Sequence, residues 1–170
     1  MIKVLGLALY GPMAASHRYR LGQFKDSLRD AGIELEIHSL LDNKYLANKF
    51  DGKAISKLNI LKSVLKRLKV IFIKNNFDVT IVHCELLPFL PGWLERSLIP
   101  KPYIFDFDDA WHLRYKLNRS SFFRFFLENK IDKIVEGSSF VAAGNTYLKN
   151  YEITLNSNTA LFPTVLDTDR

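Results

Sequence analysis

The chain has 170 residues, a net charge of +6, and 48% hydrophobic against 25% charged residues. That length supports one soluble globular domain whose core needs neither disulfide nor metal, and the single cysteine, Cys84, excludes an intramolecular disulfide and suits a reducing cytosol. No apolar run approaches the ~20 residues needed to cross a bilayer, and the positive charge favours anionic partners without choosing among them.

The first apolar run, residues 4–9, follows Lys3 and superficially resembles a signal peptide. It is short, however, and opens into Tyr10-Gly11-Pro12 and an arginine-bearing helix, as a strand buried on both faces would. Ser16 is placed to cap that helix, with Tyr19, Leu21, Phe24 and Leu28 on its inner side and Ala31-Gly32 at its end. Residues 33–39 alternate, with Ile33, Leu35 and Ile37 on one face, and predict a second strand. Residues 40–54 lack a period and are expected to loop. Leu58, Leu61, Leu65, Leu68 and Phe72 recur at helical spacing beside Lys57, Lys62, Lys66, Arg67 and Lys69, so residues 55–74 predict a basic helix around an apolar stripe.

Residues 78–83 predict a strand, 86–98 a helix despite Pro91-Gly92, and 102–107 a further strand. Phe122, Phe126, Ile131 and Ile134 mark another helix, capped by Ser120 or Ser121. Residues 140–143 form a short strand ending at Gly144-Asn145, followed by a short helix near Tyr147-Leu148 and a last strand at 159–162. Strands regularly separated by helices are βαβ units. The expected fold is a Rossmann-like three-layer α/β/α sandwich with a mostly parallel sheet of six or seven strands, spanning residues 1–162. Residues 163–170 read as the start of a linker.

Four strand-to-helix loops carry most of the unusual polar groups, and in a parallel sheet these lie on one rim, where open α/β folds bind ligands. The first offers Gly11, Ser16, His17, Arg18 and Arg20, a set suited to an anion such as a diphosphate; an ordinary turn with solvated arginines is the plainer alternative. Neither a dinucleotide fingerprint nor a Walker loop is present. After the third strand come His83, Cys84 and Glu85. Alternation puts His83 and Glu85 on one side, able to hold a substrate hydroxyl or merely to share a local hydrogen bond, and turns Cys84 toward the core.

The third loop is the most distinctive. Tyr103-Ile104-Phe105-Asp106-Phe107-Asp108-Asp109-Ala110-Trp111 ends an apolar run in three carboxylates, with His112 beyond. Like charges this close raise one another's pKa and cost stability, which points to use on substrate hydroxyls. The competing uses are helix capping by Asp109 and Mg²⁺ ligation. Asn145 in the fourth loop can line a pocket or simply cap the next helix.

Taken together these residues resemble the N-terminal domain of a GT-B glycosyltransferase of the large retaining family 4 (glycosyl transferases group 1), across essentially the whole chain. Ser16-His17-Arg18-Tyr19-Arg20-Leu21 looks like the S-x-R-Y-R entry of some members, and Asp78-Val79-Thr80-Ile81-Val82-His83 like their D-V-V-H strand. Pro102 through Ala110 is similar to a P-x-V-Y-D-x-D-D-A strand, and Phe162 through Arg170 to the I-P-N-G-V-D segment that leads into the second domain. Two departures stand out. Asp108 takes a place where many relatives have histidine, and Thr164-Val165 replaces the Asn-Gly.

The resemblance implies one half of a GT-B fold: an acceptor-binding domain without the family's donor-binding C-terminal domain and its E-x7-E element. It implies sugar transfer from a nucleotide sugar to a glycan or lipid-linked acceptor, with no metal or cofactor and little activity from this half alone. Asp108 and Asp109 would act on the acceptor hydroxyl. His83, Glu85, Asp106, His112 and Asn145 would line the acceptor pocket, and Gly11, Ser16, Arg18 and Arg20 would face the donor phosphates. Polysaccharide assembly at the inner face of the cytoplasmic membrane, with the basic helix against anionic lipid, is the implied setting. Two alternatives stand beside it: a haloacid-dehalogenase-type Mg²⁺-dependent phosphatase using Asp106 and Asp108, and a non-catalytic module binding a glycolipid or partner. Nucleic acid is not an expected partner, because the positive charge sits on one helix without interleaved aromatics.

Overall fold

A computed structural model describes residues 1–73 and 76–166. Lys74 of the expected basic helix and residues 167–170 of the expected linker lie outside the described residues. The chain runs β1 (Ile2–Tyr10), α1 (Ala15–Arg20), a 3₁₀ turn (Gly22–Phe24), α2 (Lys25–Asp30), β2 (Ile33–Leu41), α3 (Asn43–Phe50), α4 (Lys57–Ile73) and β3 (Val79–His83). It continues with α5 (Gly92–Leu98), β4 (Tyr103–Phe107), α6 (Trp111–Lys116), α7 (Ser121–Leu127), α8 (Lys130–Gly137), β5 (Phe140–Ala143), α9 (Thr146–Glu152) and β6 (Thr159–Leu161). The six strands form one parallel sheet in the order β2-β1-β3-β4-β5-β6 with helices on its faces, a Rossmann-like sandwich as expected.

Register sorts the side chains into two faces. Leu7, Val82, Phe105 and Val141 are paired across β1, β3, β4 and β5 and lie in the same buried cluster as Val70 and Ile71 of α4 and Ile131, Ile134 and Val135 of α8. On the opposite face Gly6, Ile81, Ile104 and Phe140 form the neighbouring row. That face is covered less fully: an apolar groove of about 290 Å³ remains beside Leu21, Phe24 and Leu28. The next row on this second face pairs His83 with Asp106 and Asp106 with Ala142. A histidine and an aspartate therefore meet at the carboxyl ends of β3 and β4 because the strands are in register.

Several local expectations are corrected. Ser16 does not cap α1, whose N-cap is Ala14 without a side-chain bond; the helix also breaks at Leu21, leaving Phe24 partly exposed. Residues 40–54 are not a loop, since β2 runs on to Leu41 and Asp42 caps α3 by accepting from the Tyr45 backbone N–H at 2.8 Å. The predicted helix at 86–98 starts only at Gly92, because Pro88 and Pro91 withhold backbone donors. The helix expected across Phe122 to Ile134 is two, α7 and α8, with no Ser120 side-chain cap, and α6 precedes them.

α4 is turned over relative to expectation. Leu58, Leu61, Leu65 and Phe72 are exposed, whereas Val64, Arg67, Leu68 and Ile71 face the sheet. The helix carries apolar residues on two sides, and the side with Val64 and Ile71 takes the core.

The loop after β3 is held by a buried ionic cluster on the face of α5 and α8. Glu85 accepts from Tyr115 Oη at 2.5 Å and from Lys130 Nζ at 2.8 Å, with Arg114 at 3.3 Å. Lys130 Nζ also donates to the Leu87 carbonyl at 2.6 Å and lies 2.9 Å from Glu95, whose other oxygen accepts from the Leu86 N–H. Burial pushes the Glu95 pKa up to about 7 against the opposing pull of Lys130. Lys130 has the opposite balance: burial favours its neutral form, but the two glutamates outweigh that and hold it charged. Lys130→Met leaves buried Glu95 without a cation and Glu85 with only the half-exposed Arg114. It should destabilise the domain by about 3–5 kcal/mol in urea denaturation, and a loss below about 1 kcal/mol would show that the cluster contributes nothing net.

Candidate functional site

The strand order reverses direction between β1 and β3, so the crevice of an open parallel sheet lies at their carboxyl ends, beside Tyr10-Gly11 and His83-Cys84. At this place Asp106 is the hub. Its Oδ2 accepts from His83 Nδ1 at 2.7 Å and from Arg20 Nε at 3.3 Å, while Arg20 Nη2 donates to Oδ1. Burial alone would raise the Asp106 pKa; the hydrogen bonds and charges of His83 and Arg20 win and hold it below the ordinary aspartate value. Burial likewise works against the Arg20 charge, and Asp106, followed by Asp108, more than restores it. Arg20 also donates to the Phe162 carbonyl, tying α1 to the end of the sheet.

Cys84 adopts φ = 69°, a left-handed conformation uncommon for a side-chain-bearing residue, and this breaks strand alternation. The thiol is buried, as expected, yet it turns toward His83 rather than into the hydrophobic core: Sγ lies 3.2 Å from Nε2. Burial, then Asp108 and Asp106, push its pKa up, so it is a protonated donor to Nε2 rather than a nucleophile. Among the described residues, His83, Cys84 and Asp108 are the set of three whose ligand atoms, all within 4.8 Å, could share a metal ion.

The remaining predicted residues divide clearly. Asp108 is half-buried and Asp109 exposed, and neither side chain has a hydrogen-bond partner among the described residues. Asp109 does not cap α6, whose N-cap is Ala110 with no side-chain bond. Asn145 does cap α9, accepting from the Leu148 N–H at 2.9 Å, and its Nδ2 donates to the Asp108 carbonyl at 3.3 Å. Gly144 is forced to be glycine by the same contact, because a Cβ there would lie 2.6 Å from Asp108 Cα. The β5 end thus presses on the aspartate loop and fixes its backbone.

Others are engaged in local contacts. Glu85 does not share a side with His83, because the Cys84 conformation sends it to the Lys130 cluster on the opposite face. His112 is buried, stacked on Tyr151 with ring centroids 4.2 Å apart, and burial lowers its pKa, so it is a packed neutral ring. Gly11 is close to Asn43 rather than open to a ligand: a Cβ would lie 2.6 Å from Asn43 Oδ1. Arg18 is exposed and donates to the Pro12 and Met13 carbonyls at 2.9 and 2.8 Å, bracing its own loop, while Ser16 lies within α1. A cavity of about 690 Å³ opens beside Arg18, lined also by His17, Gln23 and Lys25. His17, grouped by sequence with the anion-suited residues of this loop, does not open to a ligand. It is buried, with Nδ1 2.9 Å from the Tyr10 carbonyl, and burial lowers its pKa.

Asp106→Asn would leave the buried Arg20 guanidinium facing a neutral amide. The loss should be about 2–4 kcal/mol near neutral pH. Because the folded carboxylate is held below its unfolded value, the wild-type advantage is full above the unfolded aspartate pKa and falls away as pH drops below it. Urea titrations of both proteins from pH 3 to 8 check this, and a difference that grew toward acid would contradict the assignment. The chain matches no protein-family model and no curated protein sequence.

Proposed function

We propose that this chain is the acceptor-side half of a GT-B retaining glycosyltransferase. The observation that carries the reading is the convergence of α1, β3, β4 and β5 on one rim. There Arg20, Asp106 and His83 form a closed, satisfied unit beneath two aspartates, Asp108 and Asp109, with side chains free to accept hydrogen bonds. An acceptor hydroxyl donating to Asp108 would be oriented and made more nucleophilic, and the fixed loop backbone supplies the positioning such a step needs. In the first loop Arg20 is committed to Asp106, which leaves the exposed Arg18, whose Nη1 also braces the Pro12 and Met13 carbonyls, to face a donor diphosphate. The nucleotide sugar would be held mainly by a second domain, so neither a cofactor nor strong activity is expected of this half.

A phosphatase acting through Asp106 is the poorer reading. An aspartyl nucleophile must present a free carboxylate oxygen to phosphorus. Both oxygens of Asp106 are taken by Arg20 and His83, and its side chain is 7% exposed.

No helix among the described residues is long and apolar enough to cross a membrane. Peripheral contact is a separate part of the proposal, and the orientation of α4 supports it. Leu58, Leu61 and Leu65 stand exposed among Lys57, Lys62 and Lys69, an apolar and basic face of the kind that lies in a lipid interface. An acceptor carried on lipid would then be met at the bilayer surface.

Asp108→Asn and Asp109→Asn, introduced into the intact protein, should each lower sugar incorporation from nucleotide-sugar donors into extracted lipid or glycan by about 10²-fold. Unchanged transfer in both would remove the acceptor assignment. For the membrane part, the chain should sediment with vesicles containing anionic lipid in a salt-sensitive manner, and Leu61→Ser/Leu65→Ser should abolish it. Failure to bind at any salt concentration would refute it.

A further inference from the structure

Arg67 is an anomaly of the fold. It sits mid-way along α4 on the side facing the sheet, 2% exposed, and Nη2 donates to the Ala8 carbonyl at 2.5 Å. Nε and Nη1 are buried without a hydrogen-bond partner among the described residues. No carboxylate lies within ion-pair distance of it among the described residues; the acid whose charge reaches it is Glu95, which is committed to Lys130. Burial pulls the Arg67 pKa down to about 10, so the guanidinium remains charged at neutral pH. A buried, underpaired cation is destabilising, and an apolar residue of similar size would relieve that cost.

The same side chain lines a cavity of about 420 Å³ between the end of β2, the start of α3 and α4. Lys66 and Lys44 stand at this cavity with exposed ammonium-bearing side chains, neither in an ion pair among the described residues. Asn43 is also there, its Oδ1 accepting from the Met13 N–H, which leaves the amide Nδ2 as a donor. Gly11 brings the β1 loop against it. The one acid of the lining, Asp42, spends Oδ1 on the Tyr45 N–H at the α3 cap.

We propose that this cavity is an anion subsite that binds the phosphate of a phosphate ester, with Arg67 supplying the fixed charge, Lys66 and Lys44 the mobile ones and Asn43 a neutral donor. A phosphate carries oxygens enough to engage several of these donors at once, and charge-assisted bonds are the strong ones. It concerns binding alone and stands whether or not the chain takes part in sugar transfer. The ester could be soluble or the headgroup of a lipid, and both present the same group to Arg67.

The test compares the wild-type chain with Arg67→Met and with Lys44→Ala/Lys66→Ala, the latter altering exposed positions only. Thermal unfolding is followed in glycerol 3-phosphate and in chloride at matched ionic strength, and sedimentation with vesicles of phosphatidylglycerol in phosphatidylcholine or of phosphatidylcholine alone. A soluble ester predicts a midpoint that rises with glycerol 3-phosphate beyond chloride, is lost in Arg67→Met and needs about tenfold more ligand in the double-lysine variant. A headgroup predicts no such rise but phosphatidylglycerol-dependent sedimentation weakened by Arg67→Met. Arg67→Met should itself stay folded with an unchanged or higher midpoint; if it does not fold, the double-lysine variant alone decides. Equal responses in phosphate ester and chloride together with sedimentation indifferent to the variants overturn the proposal.

Discussion

Asp106 is a carboxylate with little access to water at the carboxyl end of a central strand, and its ionisation rests on two donors brought from elsewhere in the chain. Register delivers His83 from the neighbouring strand, and α1 delivers Arg20 from 86 positions away. The cost of burying the charge is offset only while both partners hold their places. In consequence the first loop, the β3 end and the β4 end are bound to one geometry, and the two aspartates that follow are presented from a braced base. The candidate site is an outgrowth of this one ion pair.

The sheet separates two buried ionic groups of different character. On one face the Arg20–Asp106–His83 unit is compact and each charged group has a direct partner. On the other, Glu85, Lys130 and Glu95 set two acids against one buried base, with Arg114 at the margin. That second group anchors the 84–91 segment, whose prolines and positive-φ residues Cys84 and Phe89 exclude regular structure. Apolar packing of Leu7, Val82, Phe105 and Val141 between the two provides the non-directional stability, and the ionic groups dictate which loop conformation is compatible with it.

Sequence periodicity conveyed the strands well, because buried parallel strands are continuous apolar runs with sharp polar ends, as in β1 and β4. It conveyed α4 poorly, since a helix apolar on two sides offers two stripes and only tertiary contact selects Val64 and Ile71 over Leu61 and Leu65. The aspartates of the third loop were legible as a group from their density. Their division of labour was not, because it follows from which oxygen meets Arg20. Glu85 was misplaced for a specific reason: alternation assumes extended backbone, and the left-handed Cys84 reverses the sense of everything after it. Arg67 gave no signal at all, being one cation in a row of lysines until the helix is docked.

The Arg20 guanidinium also holds the Phe162 carbonyl, and Gln23 Nε2, three residues on in the 3₁₀ turn, donates to the Val165 carbonyl at 3.0 Å. The outgoing chain is therefore stitched to the short helix that clamps Asp106 and to the turn that follows it. A pull on that strap would reach the carboxylate after crossing a single side chain. Movement of anything tethered downstream would consequently register as a change in electrostatic grip at the rim, with no hinge required in between.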